Sequence, residues 1–197
     1  MDHTLILQQR IQSSIETKQN ILANPELLSI TAQVAQLIID AYKNGNKVLW
    51  CGNGGSAADA QHLAAELSGR FYFDRPPLNS DALHVNTSYL TAVGNDYGYE
   101  VVYSRLIKAM GNKGDILIGM STSGNSANVI NAMQQARTQG VITVAMTGKT
   151  GGKMKPEADY LINIPSTDTP RIQECHMLLG HTLCELVEMN LFERKAN

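Results

Sequence analysis

Two short apolar runs in this chain each end in a polar, glycine-bearing loop that opens a helical stretch, and this order constrains the fold more than any other feature. Lys47-Val48-Leu49-Trp50-Cys51 reads as a buried strand, followed by a glycine-rich turn at 52–55 and a helix from Ser56 to about Ser68. Asp115 to Met120 is a second apolar strand, with a Ser/Thr/Gly loop and a helix from about Ser126 to Gln139 behind it. Val141 to Thr147 and Tyr160 to Ile164 read as further strands, and a long helix runs from about Arg171 to Glu193. Strands that alternate with helices pair in parallel and are covered on both faces. The expected class is therefore α/β, a three-layer αβα sandwich around a central parallel sheet. Ligands of such sheets bind beyond the carboxyl ends of the strands, where both polar loops fall.

Ahead of the first strand, apolar residues recur at helical spacing from His3 to about Leu22 and from Pro25 to about Asn44. In the second stretch Leu28, Ile30, Val34, Leu37, Ile38 and Ala41 form the expected buried stripe. Two N-terminal helices thus precede the sheet. No internal repeat, low-complexity tract or long polar linker interrupts the chain, so residues 1–197 read as one domain.

Composition narrows the function classes. The formal net charge is -2 and no lysine- or arginine-rich run appears. A nucleic-acid surface needs a concentrated basic stripe, so no nucleic-acid partner is expected. No apolar stretch reaches the roughly 20 residues that span a bilayer, and no membrane segment is expected. Met1-Asp2-His3-Thr4 shows no basic stretch leading into an apolar one, so no signal peptide is expected. The cysteines are Cys51, Cys175 and Cys184, without C-x-x-C spacing. Cys175 and Cys184 would sit roughly 13 Å apart along one helix, too far for a disulfide. Reduced thiols and a cytoplasmic location follow as expectations.

The loop Ser121-Thr122-Ser123-Gly124-Asn125-Ser126 is the most informative local feature. Free amides and the positive end of a helix dipole favour an anion at such a place, and hydroxyls add donors around a phosphate. A helix cap would need one hydroxyl. This loop offers Ser121, Thr122, Ser123 and Ser126.

The earlier loop, Gly52-Asn53-Gly54-Gly55-Ser56-Ala57, matches the dinucleotide pattern G-x-G-x-x-A, with Asp74 near the expected acidic position. Asp74 is followed by Arg75-Pro76-Pro77, however, and proline makes a poor second strand. The glycines read better as letting a sugar lie against the backbone.

In the helix that follows, His62 and Glu66 are four residues apart and share a face, as a metal pair or an acid–base pair requires. Ala57, Ala58, Ala60, Leu63, Ala64, Ala65 and Leu67 make this helix largely apolar, so a His and a Glu there need partners or a function. On the last helix Gln173 and His181 point roughly 80° apart and can border one site, whereas His176 is rotated about 140° from His181. Gly180 weakens that helix unless something comes close. Asn95-Asp96 reads as a polar turn able to receive sugar hydroxyls, though such turns are more often structural.

Taken in order, CGNGGSAADAQHLAAELSGRF (51–71), TAVGNDYG (91–98), GMSTSGNSANVI (119–130), TGKTGGKM (147–154) and RIQECHMLLGHTLCELVE (171–188) resemble the SIS (sugar isomerase) domain, and within it the phosphoheptose isomerases. The resemblance covers nearly the whole chain. It implies a flavodoxin-like SIS domain in which residues 1–45, the N-terminal helices, take part in oligomer packing, and a homotetramer with sites between subunits. It implies conversion of sedoheptulose 7-phosphate to D-glycero-D-manno-heptose 7-phosphate. The family's phosphate ligands fall on Ser121, Thr122, Ser123 and Ser126. Its sugar contacts fall on Asn53, Gly54, Gly55, Asn95 and Asp96, with His62, Glu66 and Gln173 also facing substrate and Arg70 a further contact. Zinc, one ion per subunit, is implied at His62, Glu66, Gln173 and His181, with Glu66 and His181 as the catalytic pair.

Two alternatives share the scaffold. A non-catalytic SIS protein that binds the replication initiator looks similar over the same length, but lacks the Glu and the His that stand here at 66 and 181. An isomerase of another sugar phosphate would carry the same phosphate loop.

Overall fold

The structure, a computed structural model, describes residues 1–192; Glu193, the expected end of the last helix, lies outside the described residues. Helices α1 (His3–Leu22) and α2 (Pro25–Lys43) lead the chain. Asp2 caps α1 by accepting from the amides of Thr4 and Leu5, and Asn24 caps α2, with Pro25 in the first turn where no amide is needed. The buried stripe of α2 runs through Leu27, Thr31, Val34, Ala35, Ile38 and Ile39. Leu28, expected in that stripe, is 39% exposed because it lies one position, about 100°, around the helix from Leu27.

The sheet comprises β1 (Val48–Gly52), β2 (Ser80–Ala82), β3 (Ile116–Ser121), β4 (Ile142–Thr147) and β5 (Tyr160–Asn163). All neighbours pair in parallel, in the order β2-β1-β3-β4-β5. Between the strands run α3 (Gly55–Ser68), α4 (Thr87–Tyr97), α5 (Val102–Met110) and α6 (Ala127–Thr138), and α7 (Thr169–Leu191) ends the described chain. Alternate strand residues serve opposite faces. Val48, Trp50, Ile116, Ile118 and Met120 pack with α2, α3 and α7, while Leu49, Cys51 and Leu117 pack with α4, α5 and α6. This is the expected three-layer sandwich.

The stretch between α3 and β3 holds what sequence patterning did not resolve. Strand β2 has three residues, one of them an aspartate, too short for a periodic signal. Asn95 and Asp96, expected in a turn, lie in the last turn of α4. The turn proper is at Gly98, whose φ of +91° suits glycine and ends the helix.

Order 2-1-3-4-5 reverses direction between β1 and β3, the switch point at which such sheets open a crevice. Gly52 pairs with Met120 in the register, so the loops after β1 and β3 leave the sheet side by side. Gly180 explains how α7 approaches: a Cβ there would meet Leu63 of α3 at 2.5 Å. The weak point expected in the last helix is where α3 packs closely upon it.

Candidate functional site

Three groups of residues carry the expected site: two lie in the loops that leave the carboxyl ends of β1 and β3, and the third lies further along the facing helices α3 and α7. The first is the turn after β1. Gly54 has a φ of +56°, which a side chain would strain, and α3 begins at the next residue. The Asn53 amide forms a reciprocal pair with that of Asn128: Asn53 Nδ2 donates to Asn128 Oδ1 at 2.8 Å, and Asn128 Nδ2 to Asn53 Oδ1 at 2.9 Å. The Tyr99 hydroxyl donates to Asn53 Oδ1 at 3.3 Å. Asn128 sits buried in the first turn of α6, so the pair ties the two loops together.

The second group is the hydroxyl loop. Ser121 Oγ lies 2.9 Å from Ser126 Oγ and 3.4 Å from Ser123 Oγ. Ser126 occupies the N-cap of α6, yet its side chain does not bond the amides of that helix; Val129 N donates instead to Asn128 Oδ1 at 3.0 Å, which leaves the amides of Ala127 and Asn128 for an anion. A second loop props this one from behind. Gly148 N donates to the Thr122 carbonyl at 3.0 Å, Met154 N to that of Gly124 at 2.9 Å, and Lys153 N to Asn125 Oδ1 at 3.0 Å. A Cβ on Gly124 would strike the Gly151 main chain, and one on Gly152 the main chain of Gly124. The segment at 147–154 therefore needs its glycines to lie against the hydroxyl loop.

The third group joins α3 to α7. His62 Nε2 is 3.0 Å from His181 Nε2 and 3.0 Å from Glu66 Oε1. Ligand atoms of His62, Glu66 and His181 all lie within 4.8 Å of one another. Gln173, the fourth residue expected here, lies over Gly55 and donates from Nε2 to Asp59 Oδ2 at 2.9 Å. Two imidazole nitrogens and a carboxylate oxygen at this spacing suit tetrahedral zinc, whose ligands stand about 3.3 Å apart when bonds are about 2.0–2.1 Å. The donor set fits the metal implied by the family.

Asp59 was not anticipated. It precedes His62 by three residues and Glu66 by seven, so the helical spacing that linked those two also reaches it. Burial raises its carboxyl above the usual range, while the Gln173 bond and the nearby His62 and His181 pull it back down. Asn128 was also missed. Its signal was a second asparagine just inside the helix behind the hydroxyl loop.

Other expected residues stand apart. Asn95 Nδ2 donates to Asp96 Oδ1 at 2.9 Å, and both side chains are exposed at the end of α4. Arg70 is exposed just beyond α3 and forms no hydrogen bond or ion pair among the described residues. His176 points away from the cluster, as its rotation implied: it is fully buried, with Nε2 3.1 Å from the Thr147 carbonyl.

Comparison with known proteins shows the family and the fold. The chain matches the SIS domain family over residues 13–148. It is 56% identical over 189 residues to the phosphoheptose isomerase of Aneurinibacillus thermoaerophilus, covering 96% of each chain. The structure superposes on a phosphoheptose isomerase from Neisseria gonorrhoeae with a TM-score of 0.85 at 44% identity, over 93% of this chain and 99% of that one. A phosphoheptose isomerase from Francisella tularensis gives a TM-score of 0.92 at 34% identity, over 96% and 100%. The chain belongs to the SIS-domain family and, within it, to the phosphoheptose isomerases.

Proposed function

We propose that this isomerase converts sedoheptulose 7-phosphate to D-glycero-D-manno-heptose 7-phosphate by enediol proton transfer, the first step toward nucleotide-activated heptose. The observation that carries the reading is the meeting of Glu66 and His181 around His62, in a chain that also carries a hydroxyl loop opening α6 beyond β3. One group suits a carbon-bound proton, the other a phosphate.

Ser121, Thr122, Ser123 and Ser126 bind the phosphate with the first amides of α6. Asn53, Gly54, Gly55, Asn95, Asp96 and Arg70 receive the sugar. With the chain so anchored, the Glu66 carboxylate removes the proton from C1 of the open ketose while His181 protonates the oxygen on C2, giving the enediol. His181 then takes the proton from the oxygen on C1, and Glu66 returns its proton to C2, leaving the aldose. A carboxylate has two oxygens, so one can face His62 while the other carries the proton. A zinc ion held by His62, Glu66, Gln173 and His181 would supply a Lewis acid that stabilises negative charge on the substrate oxygens.

The active form is proposed to be a homotetramer with sites shared between subunits. Leu5, Ile6, Leu7, Ile11 and Ile15 of α1 are exposed in the single chain, and a second subunit would cover them. A cytoplasmic location suits the three buried free thiols. No described helix is long and apolar enough to cross a membrane.

The test is incubation with sedoheptulose 7-phosphate and a panel of shorter ketose phosphates, with product stereochemistry assigned. The manno-configured heptose 7-phosphate as the preferred product supports the reading. Faster turnover of a shorter sugar phosphate would reassign the substrate.

A further inference from the structure

The helix that carries His62 and Glu66 is held at its end by a buried ion pair outside the site. Because α3 stops at Ser68, its last carbonyls lack partners within the helix. The Arg75 guanidinium takes them up: Nη2 donates to the Glu66 carbonyl at 2.8 Å, and Nη1 to those of Leu67 at 2.7 Å and Gly69 at 3.1 Å. Its positive charge also faces the negative end of the helix dipole. Arg75 Nε meets Glu188 Oε2 at 2.9 Å, and both side chains are 1% exposed.

Glu188 is as fully engaged. Its carboxylate accepts the backbone amides of Phe71 at 2.9 Å, Tyr72 at 2.7 Å and Phe73 at 3.3 Å. It follows His181 by seven residues on α7, two turns on, so the two share a face. Phe71, fixed by Glu188, stacks on the His181 ring with centroids 5.8 Å apart and planes at 29°. One pair of charges thus grips the main chain of Glu66 on one side and the segment that backs His181 on the other.

We propose that Arg75 and Glu188 are positioning residues for the isomerisation, fixing Glu66 and His181 at the separation that proton transfer and metal binding require. Stability alone does not call for such a pair, because apolar side chains of similar volume often serve a buried site as well. Here the donors and acceptors are spent on main-chain atoms beside two site residues. The proposal rests on the assignment of Glu66 and His181 made above.

The test compares Glu188→Gln, Arg75→Lys and Phe71→Leu with the wild-type protein. Co²⁺ affinity is measured by competition with a chelator, kcat and KM are measured separately, and a thermal melt shows which variants are folded. Breaking a buried pair can unfold a chain, but Phe71→Leu leaves the pair intact and keeps the test decisive. In each folded variant, Co²⁺ affinity and kcat should fall by about 10–100-fold, as when the support of a ligand is removed. KM should change less than about threefold, since the phosphate loop follows another strand. Wild-type kcat and Co²⁺ affinity in folded Phe71→Leu, or in either folded pair variant, overturns the proposal. Failure of the wild-type protein to bind Co²⁺, or full turnover in Glu66→Gln, would instead remove the assignment beneath it.

Discussion

Gln173 lies over Gly55 so closely that a Cβ on the glycine would collide with its amide nitrogen. The same nitrogen donates to Asp59, so a missing side chain and a carboxylate together set the direction of the amide. Gly55 has no positive φ, and alanine suits the first turn of a helix better than glycine does.

Gly55→Ala should therefore separate stability from function. The collision is with the far end of a flexible side chain, which can swing away. The melting temperature should stay near or above that of the wild type, while kcat falls about tenfold or more as Gln173 leaves its place. Kinetics and a melt on the same preparation check both halves. Unchanged kcat would show that the direction of Gln173 does not matter.

Ser123→Ala removes one hydroxyl from the phosphate loop. A hydrogen bond to a charged group contributes roughly 1.5–3 kcal/mol, so KM for the phosphorylated sugar should rise about tenfold or more. Steady-state kinetics decides this, and unchanged kcat and KM would place the phosphate elsewhere.

His176 makes stability depend on pH. Burial lowers its imidazole from the usual 6.5 to about 4, with the Thr147 carbonyl opposing the shift. Between those values the unfolded chain binds a proton that the folded one refuses, so stability falls as pH drops through that window. Its contribution, on the order of 3 kcal/mol, is complete above pH 6.5 and gone below pH 4. Urea unfolding at pH 7 and pH 4.5 should show the loss, and folded His176→Gln should show less of it. Because the residue is fully buried, this variant should also be less stable at pH 7. An equal acid loss in both proteins would contradict the account.

Light scattering should give the mass of four chains. A stable monomer with full activity would contradict shared sites and leave the exposed face of α1 unexplained.

Much of this molecule was legible in its sequence because the signals were local. Val48 to Gly52 and Ile116 to Ser121 are buried throughout, so each reads as an unbroken apolar run. His62 and Glu66 share a helix face by spacing alone. The rest depends on tertiary partners. Arg75 sits in an Arg-Pro-Pro turn and Glu188 on a distant helix, and nothing in either stretch announces the other. Asn53 and Asn128 lie 75 residues apart in sequence, and only the parallel order of β1 and β3 pairs them. The residue types of Asn95 and Asp96 favour a turn, but an Asn86 cap and the packing of Val93 carry the helix through them.

The most direct test of the central claim is the turnover of Glu66→Gln on sedoheptulose 7-phosphate. Glutamine keeps the size and most of the hydrogen bonding of the side chain but cannot accept the carbon-bound proton. The variant should fold, assemble like the wild type and still bind the sugar phosphate. Its kcat should fall by at least about a hundredfold, the usual contribution of a positioned general base. Turnover near that of the wild type, in protein shown by its melt to be folded, would contradict Glu66 as the group that moves the proton.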